Sequence, residues 1–474
     1  MSEQHNLLLI TTDQQRFDTI AAAGCPWMRT PHLDWLCDTG IRFTRAYADC
    51  PVCVPSRYSL MNARHAFRQQ TDYNPWQPAG VDPSRTMPAL LSAAGYQTRA
   101  VGKMHFVPER DHMGFQHMEI LPDYYRQAAR RGLRPMDTGL GQNEMQPAFS
   151  TVHENDSLTR WVADRSVDFL ETRDRSRPFF LWTSFSKPHP PFDPPMSYHA
   201  LYRDADIPDA VRGDWSKNAD DVPVAMRRTM YALSSVDRFS PEVVREMRRS
   251  YYALISHVDY TLGHMYASLR ELGLLDNTTI IFTSDHGDML GDHHLGGKTI
   301  YCEGSTHVPM LVRPAPALMR NGPAGGTTCD SLTCLVDVLP TFLGAAGLAA
   351  PSGIEGRDML ADLAQGSKRK YLIGEYTDLF MAMDQRYKYH WCVEGGVELL
   401  FDMVADPLEQ HDLIRAGGHD DKRLELRRQL IDHLTATANP RIEHGDLLVK
   451  PVRPLSRGGW PGFHTVAQAN EVCH

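Results

Sequence analysis

The sequence has no apolar run that approaches the length of a membrane span, which excludes a transmembrane helix as its organising element. It has no block of basic residues, and its formal net charge is −9. Neither nucleic acid nor an anionic membrane surface is therefore expected as a main partner. The opening MSEQHNLLLITTDQQ lacks both a basic n-region and a long apolar segment with a cleavage site. A cytoplasmic location is the expectation from that start. The nine cysteines are an odd number scattered along the chain, which suits a reduced compartment better than a disulfide framework. Internal repeats and low-complexity tracts are missing as well.

What is present is a chain of 474 residues, 42% hydrophobic, long enough to bury a large core and to form more than one unit. Apolar, strand-like runs alternate with helix-like stretches. NLLLITT (6–12), YQTRAVG (96–102), PFFLWTSF (178–185) and TTIIFTSDHG (278–287) are the clearest strands. Helical patterns such as TMPALLSAAG, DSLTRWVADRSVDFLETR and the long amphipathic stretch from about Pro241 to Leu275 lie between them. This alternation predicts an α/β fold with a large, mainly parallel sheet sandwiched by helices. After about residue 365 the pattern changes to an antiparallel meander (369–376, 385–395, 397–403) followed by a helix over 420–438. The expected division is a large unit over 1–365, a small α+β unit over 366–445 and a tail over 446–474. The Gly-rich end of that tail is expected to wrap over the surface or over a neighbouring subunit, which would make a homo-oligomer.

In parallel sheets of this kind the working groups collect at the carboxyl ends of the strands. Here the strand ends deliver Asp13-Gln14, Lys103 with His105, His189, and Asp285-His286. One polar residue after a strand is ordinary loop chemistry. Four such endings rich in Asp, Lys and His are not. A separate question is posed by ADCPVCVPSRYSLM (48–61), which holds a C-x-x-C pair. No second paired motif exists to complete a zinc site, and the chain is far larger than a thioredoxin-like unit. The spacing to Arg57 also fits neither Cys50 nor Cys53 as the nucleophile of a cysteine-based phosphatase. What remains is Cys53-Val-Pro-Ser-Arg57 opening a helix, with Pro55 in the first turn. That puts Cys53 at the positive end of the helix, where anionic oxygens are favoured.

Cys-x-Pro-Ser-Arg resembles the signature of the type I, formylglycine-dependent sulfatases of the alkaline phosphatase superfamily. The resemblance extends through TTDQQRFD, TPHLDWLCDTGIRFTRAYADCPVCVPSR, AVGKMHF, SKPHPPF, IFTSDHGDMLGDHHLGGKTIYCEGSTHVP and LFDMVADPLEQHDL, in order. It implies an alkaline phosphatase-like fold, a catalytic part over 1–365, and hydrolysis of sulfate monoesters to alcohol and sulfate. It further implies a maturation enzyme that oxidises Cys53 to Cα-formylglycine, whose hydrated form is a gem-diol. One hydroxyl attacks sulfur and the other then expels sulfate by C–O cleavage. Cys50 becomes a bystander.

The resemblance also implies roles for the strand-end residues. Asp13, Gln14, Asp285 and His286, with the modified Cys53, would hold one divalent cation. The oxygen-rich set favours Ca2+, Mg2+ or Mn2+ over zinc. Asp-Gln paired with Asp-His is similar to the choline sulfatase and phosphonate monoester hydrolase branch, which brings Mn2+ forward beside Ca2+. Arg57 would stabilise the formylglycine hydroxylate and His105 would take the proton that starts breakdown of the intermediate. Lys103 and Lys298 would bind sulfate oxygens, and His189 would protonate the leaving alcohol. His293, His294 and His307 are read as surface or packing residues, although His307 stands where members often carry Arg. Asp288 and Asp292 are read as loop structure. The alternative activity on the same scaffold is hydrolysis of phosphonate monoesters or phosphodiesters. The substrate is a small sulfate ester of undefined alcohol, because the loops near 65–80, 106–150 and 190–240 that would shape its pocket match no motif.

Overall fold

The computed structural model describes residues 5–69, 81–135, 138, 140–141, 143–231, 236–319 and 325–455. Eight strands form the main sheet: β1 (Asn6–Asp13), β2 (Ile41–Phe43), β3 (Gln97–Gly102), β4 (His117–Ile120), β5 (Phe179–Pro188), β6 (Thr278–Ser284), β7 (Met310–Arg313) and β8 (Thr327–Cys329). Their order across the sheet is β4-β3-β5-β1-β6-β7-β2-β8. The pairs from β4 through β6 are parallel, while β7 runs antiparallel to both of its neighbours.

Every residue of β1 is buried, as expected for a central parallel strand covered on both faces. Its side chains alternate between two cores. Leu7 and Leu9 pack with Val54, Tyr58, Leu339 and Phe342 on one face. Leu8 and Ile10 pack with Val162, Leu170, Val258 and Leu262 on the other. The first face is thus covered by helices Cys53–Asn62 and Val338–Ala345, the second by Leu158–Thr172 and Pro241–Glu271. Among the described residues no helix is long and apolar enough to cross a membrane.

The C-terminal meander is a four-stranded antiparallel sheet: β9 (Leu372–Tyr376), β10 (Leu379–Met383), β11 (Tyr387–Cys392) and β12 (Val397–Asp402). The helix expected over 420–438 spans Asp420–Ala436 and buries Leu426, Leu430 and Leu434. The described part of the tail packs beside the strand ends of this sheet. Lys450 N–H donates to Val393 O (2.9 Å) and Arg453 N–H to Glu394 Oε1 (2.6 Å). Its Gly-rich end, from residue 456, lies outside the described residues.

A buried charge network anchors this sheet behind the main one. Lys388 on β11, fully buried, reaches Glu303 Oε1 (2.5 Å), Glu409 Oε1 (3.0 Å) and the Tyr301 carbonyl (2.9 Å). Burial works to raise the carboxyl of Glu303 and to lower the ammonium of Lys388. Their mutual attraction wins, holding Glu303 well below and Lys388 well above their ordinary ranges. Glu409 is likewise held low, chiefly by Lys388 against its own burial. Lys388→Met is expected to destabilise the protein by about 3–5 kcal/mol in urea unfolding, because two buried carboxylates lose their counter-charge. Depressed carboxylates give stability that is present above their unfolded pKa of about 4.3. It is lost as pH falls below that value, so the variant's deficit should shrink towards acid pH. A deficit under about 1 kcal/mol at neutral pH would show that the network contributes little.

Candidate active site

The order β3-β5-β1-β6 sets four carboxyl strand ends side by side. Thr12 pairs with Ser284, Asp13 with Pro188 and Gly102 with Ser184. Asp13 therefore ends β1, Lys103 follows β3, His189 follows β5, and Asp285-His286 follow β6. Gly102 has a positive φ of 101°, and a Cβ there would stand 2.0 Å from the Ser184 carbonyl. Only glycine allows the close approach in which Lys103 N–H donates to that carbonyl at 2.9 Å.

Helix Cys53–Asn62 points its N-terminus at this edge, with Val52 as N-cap and Cys53 in the first turn. One ligand atom from each of Asp13, Cys53, Asp285 and His286 lies within 4.8 Å of the others, and all four residues are buried. Arg57, 1% exposed, holds the outer carboxylate oxygens. Its Nε donates to Asp285 Oδ2 (2.9 Å) and its Nη2 to Asp13 Oδ2 (3.1 Å). Its Nη1 donates to Ser184 Oγ at 2.9 Å and to the Lys103 carbonyl. The inner oxygens face the centre: Asp13 Oδ1 lies 3.9 Å from Cys53 Sγ and 3.9 Å from His286 Nε2, and Asp285 Oδ1 lies 3.7 Å from that nitrogen. His286 Nδ1 is 3.0 Å from the Gly287 carbonyl, so it carries the proton and leaves Nε2 directed inward.

The sulfur of Cys53 is ringed by nitrogen. Lys298 Nζ and His286 Nε2 each lie 3.2 Å away, and His105 and His189 are both within hydrogen-bonding range. Lys103 Nζ stands 2.6 Å from Asp13 Oδ2. Burial works to raise the Cys53 thiol, but Lys298, Lys103 and His286 prevail and push it well below its ordinary value. The two carboxyls diverge. Asp13, raised by burial and by Cys53, is pulled far down by Lys103, His189 and Arg57. Asp285 is held up by burial and by the neighbouring Asp13 charge. That second carboxyl is short of positive charge. Its inner oxygen, with that of Asp13, an imidazole nitrogen and the residue-53 side chain, makes a donor set suited to one divalent cation.

Gln14 adopts a positive φ of 71°. Its backbone N–H donates to Asp285 Oδ1 (3.1 Å), and its Oε1 accepts from Lys298 Nζ (2.8 Å). His105 also has a positive φ (57°), and its buried Nδ1 has no hydrogen-bond partner among the described residues. His189 Nδ1 lies 2.8 Å from the Pro190 carbonyl. Burial, then Lys298 and Lys103, push its pKa down to about 3, so it rests neutral.

The remaining histidines have structural surroundings. His293 stacks on Trp215 (4.5 Å), and its Nδ1 lies 2.7 Å from Ser216 Oγ. His307 is sandwiched between Phe17 (3.9 Å) and Tyr47 (4.6 Å), with Nδ1 2.6 Å from Glu303 Oε2. Asp292 pairs with Arg16 (2.8 Å) and Arg248 (2.5 Å), which agrees with a loop-forming role. Asp288 does more than shape its loop, because it also accepts from the side chain of Gln14 (2.5 Å). Ser184 was not singled out by the sequence, yet its hydroxyl accepts from Arg57 and donates to the Lys103 carbonyl (2.6 Å). Asp49, His65 and Cys334 also converge. That cluster is internally satisfied, with Asp49 Oδ2 accepting from Ser59 Oγ (3.1 Å) and Ala66 N (3.1 Å) and lying 3.2 Å from His65 Nδ1. It braces the loop that leads to Cys53.

A buried, cation-ringed nucleophile position on an alkaline phosphatase-like α/β scaffold defines a class of ester hydrolases. Residues 5–348 match the family described as Sulfatase. The chain is 31% identical over 461 residues to an arylsulfatase of Clostridium perfringens, covering 90% of this chain and 94% of that protein. It is 28% identical over 467 residues to a choline-sulfatase of Rhizobium meliloti, covering 93% and 87%. In fold it is similar to the crystal structure of a phosphonate monoester hydrolase of Agrobacterium radiobacter, with a TM-score of 0.78 at 23% identity, covering 95% of this chain and 100% of that one. The chain belongs to the sulfatase family of the alkaline phosphatase superfamily and is a sulfuric ester hydrolase.

Proposed function

We propose that a sulfate monoester is hydrolysed at the Asp13–Cys53–Asp285–His286 cluster, with Cys53 matured to Cα-formylglycine as the nucleophile. The observation that carries this is the buried Cys53 side chain, held among those donor atoms and beside Lys298. Asp13, Gln14, Asp285 and His286 would hold one divalent cation, Ca2+ or Mn2+ with Mg2+ also admitted by the oxygens. When bound, the cation supplies positive charge to a sulfate oxygen and favours the ionised form of the attacking hydroxyl. The formylglycine side chain supplies a hydroxyl nucleophile that can be regenerated.

The chain's own residues do the rest. Lys298, beside the residue-53 side chain, and Lys103, beside Asp13, are compact cations that take the sulfate oxygens. Arg57 clamps the outer oxygens of both aspartates, so their inner oxygens stay aimed at the centre. His105, within hydrogen-bonding range of residue 53, is the base for intermediate breakdown. His189 rests neutral because burial, and then the Lys298 and Lys103 charges, disfavour its protonated form. A sulfate anion seated on those lysines offsets their charge, and His189 then holds the proton that the leaving alcohol needs. Because Cys53 is 1% exposed, the maturation enzyme would act on the chain before this site closes. A reducing, cytoplasmic setting belongs to the same reading.

Sulfate is favoured over phosphonate by Lys103 and His105, a cation for an equatorial oxygen and a base for expelling sulfate. The test compares kcat/KM for p-nitrophenyl sulfate and phenyl p-nitrophenyl phosphonate, because shared trigonal-bipyramidal transition states make discrimination a ratio. The parent is expected to favour sulfate by about tenfold or more, and Lys103→Ala to lose about a hundredfold on sulfate, the equivalent of about 2.7 kcal/mol. A parent that favours the phosphonate, with the variant barely affected, would hand the site to the alternative activity.

A further inference from the structure

We infer that Asp288 is a positioning residue that fixes which way round the side-chain amide of Gln14 sits, keeping an oxygen and not an NH2 on the reactive side. The inference rests on the proposed cation site and adds a residue to its support.

Asp288 is fully buried, and each of its oxygens is committed. Oδ1 accepts the backbone N–H groups of Leu290 (2.8 Å) and Gly297 (2.8 Å), which closes the loop after Asp285-His286. Oδ2 accepts Gln14 Nε2 at 2.5 Å. The loop does not need this second contact. Met289 N–H already donates to the Gly297 carbonyl at 2.7 Å, and Oδ1 serves the two amides.

Gln14 cannot move away from the arrangement. Its backbone N–H is held by Asp285 Oδ1 (3.1 Å) and its carbonyl accepts Tyr251 Oη–H (2.7 Å). The remaining freedom is a flip of the amide about its last bond. A carboxylate only accepts and an ammonium only donates, so the two neighbours decide the orientation chemically. Nε2 goes to Asp288 and Oε1 to Lys298 Nζ, which also donates to Cys53 Sγ (3.2 Å). A flipped amide would set NH2 against NH3+ and remove an oxygen from the cation's surroundings.

The isosteric change Asp288→Asn isolates this effect. Asn can still offer its oxygen to Leu290 and Gly297, and it then presents NH2 to Gln14. The amide of Gln14 must turn over. Mn2+ titrated calorimetrically into metal-stripped protein is expected to bind at least about tenfold more weakly than to the parent, the scale of loss when a ligand's outer partner is removed. The kcat/KM for p-nitrophenyl sulfate should fall with it, while the melting temperature of the metal-free protein changes little. Adding Gln14→Glu to Asp288→Asn restores an oxygen at both ends of side chain 14 and keeps the total charge. This double variant should recover Mn2+ affinity to within about threefold of the parent, and it serves as the test on its own if the single variant does not fold. A parent that binds Mn2+ and a single variant that binds it equally well would overturn the role of Asp288 while leaving the cation site intact. A double variant that binds no better than the single one would do the same. A parent that binds neither Mn2+ nor Ca2+ would remove the cation site, and this inference with it.

Discussion

Asp285→Asn is expected to lower kcat/KM for sulfate esters by about three orders of magnitude or more, and to leave a protein that no longer retains a divalent cation. The Asp285 carboxylate does two jobs at once. Oδ2 takes the Arg57 guanidinium, while Oδ1 accepts the N–H groups of Gln14 and His286 and faces the centre of the cluster. An amide in its place has one oxygen for both tasks and carries no charge. Loss of a charge-stabilising cation is worth several kcal/mol in the transition state, and about 4 kcal/mol is a thousandfold in rate. The fold should tolerate the change. Burial and the adjacent Asp13 charge already hold the Asp285 carboxyl above its ordinary value, so a neutral isostere relieves repulsion in the metal-free protein. Elemental analysis and thermal unfolding of parent and variant check both halves. A variant that keeps its metal at full stoichiometry would show that Asp285 is not a ligand.

Cys53→Ser should cost about four orders of magnitude or more in turnover, while Cys50→Ala should leave activity near that of the parent. A serine hydroxyl can attack sulfur, but the resulting sulfate ester has no second hydroxyl on the same carbon to expel it, so release needs another attack at sulfur. The ring of Lys298, His286, His105 and His189 surrounds position 53 and not position 50. Cys50 lies ahead of the helix, where its carbonyl accepts the Ser56 hydroxyl (2.6 Å) and its side chain packs with Val52 and Ala66. Steady-state rates with p-nitrophenyl sulfate separate the two substitutions. Equal losses in both would assign the effect to the loop's packing instead of to the nucleophile.

The strands that place the site were legible because central parallel strands are buried on both faces and read as unbroken apolar runs. NLLLITT became Asn6–Asp13 and TTIIFTS became Thr278–Ser284 on that basis. Short strands carry no such signal: Ile41–Phe43 and Thr327–Cys329 have three residues each. Strand Leu379–Met383 was missed for a different reason. LFMAM is an apolar run of only five residues, which strand and buried helix share, so its pattern does not decide between them. The charged strand-end residues stood out by type and spacing. Their supports did not. Asp288 reaches Gln14 across 274 positions, and nothing local distinguishes it from an ordinary acidic loop residue. Lys388, in the alternating run YKYHWC, reads as a solvent-facing strand residue, yet it is fully buried between two glutamates. Such contacts are set by tertiary packing, which periodicity cannot report.

The most direct test of the whole account is the mass of one tryptic peptide from catalytically active protein. Ala46–Arg57 contains both Cys50 and Cys53. After alkylation of free thiols it is expected to carry a single label, on Cys50, and an aldehyde in place of the thiol at Cys53, in a fraction of molecules that scales with specific activity across preparations. Full activity from protein in which every copy of that peptide carries two labels would contradict it.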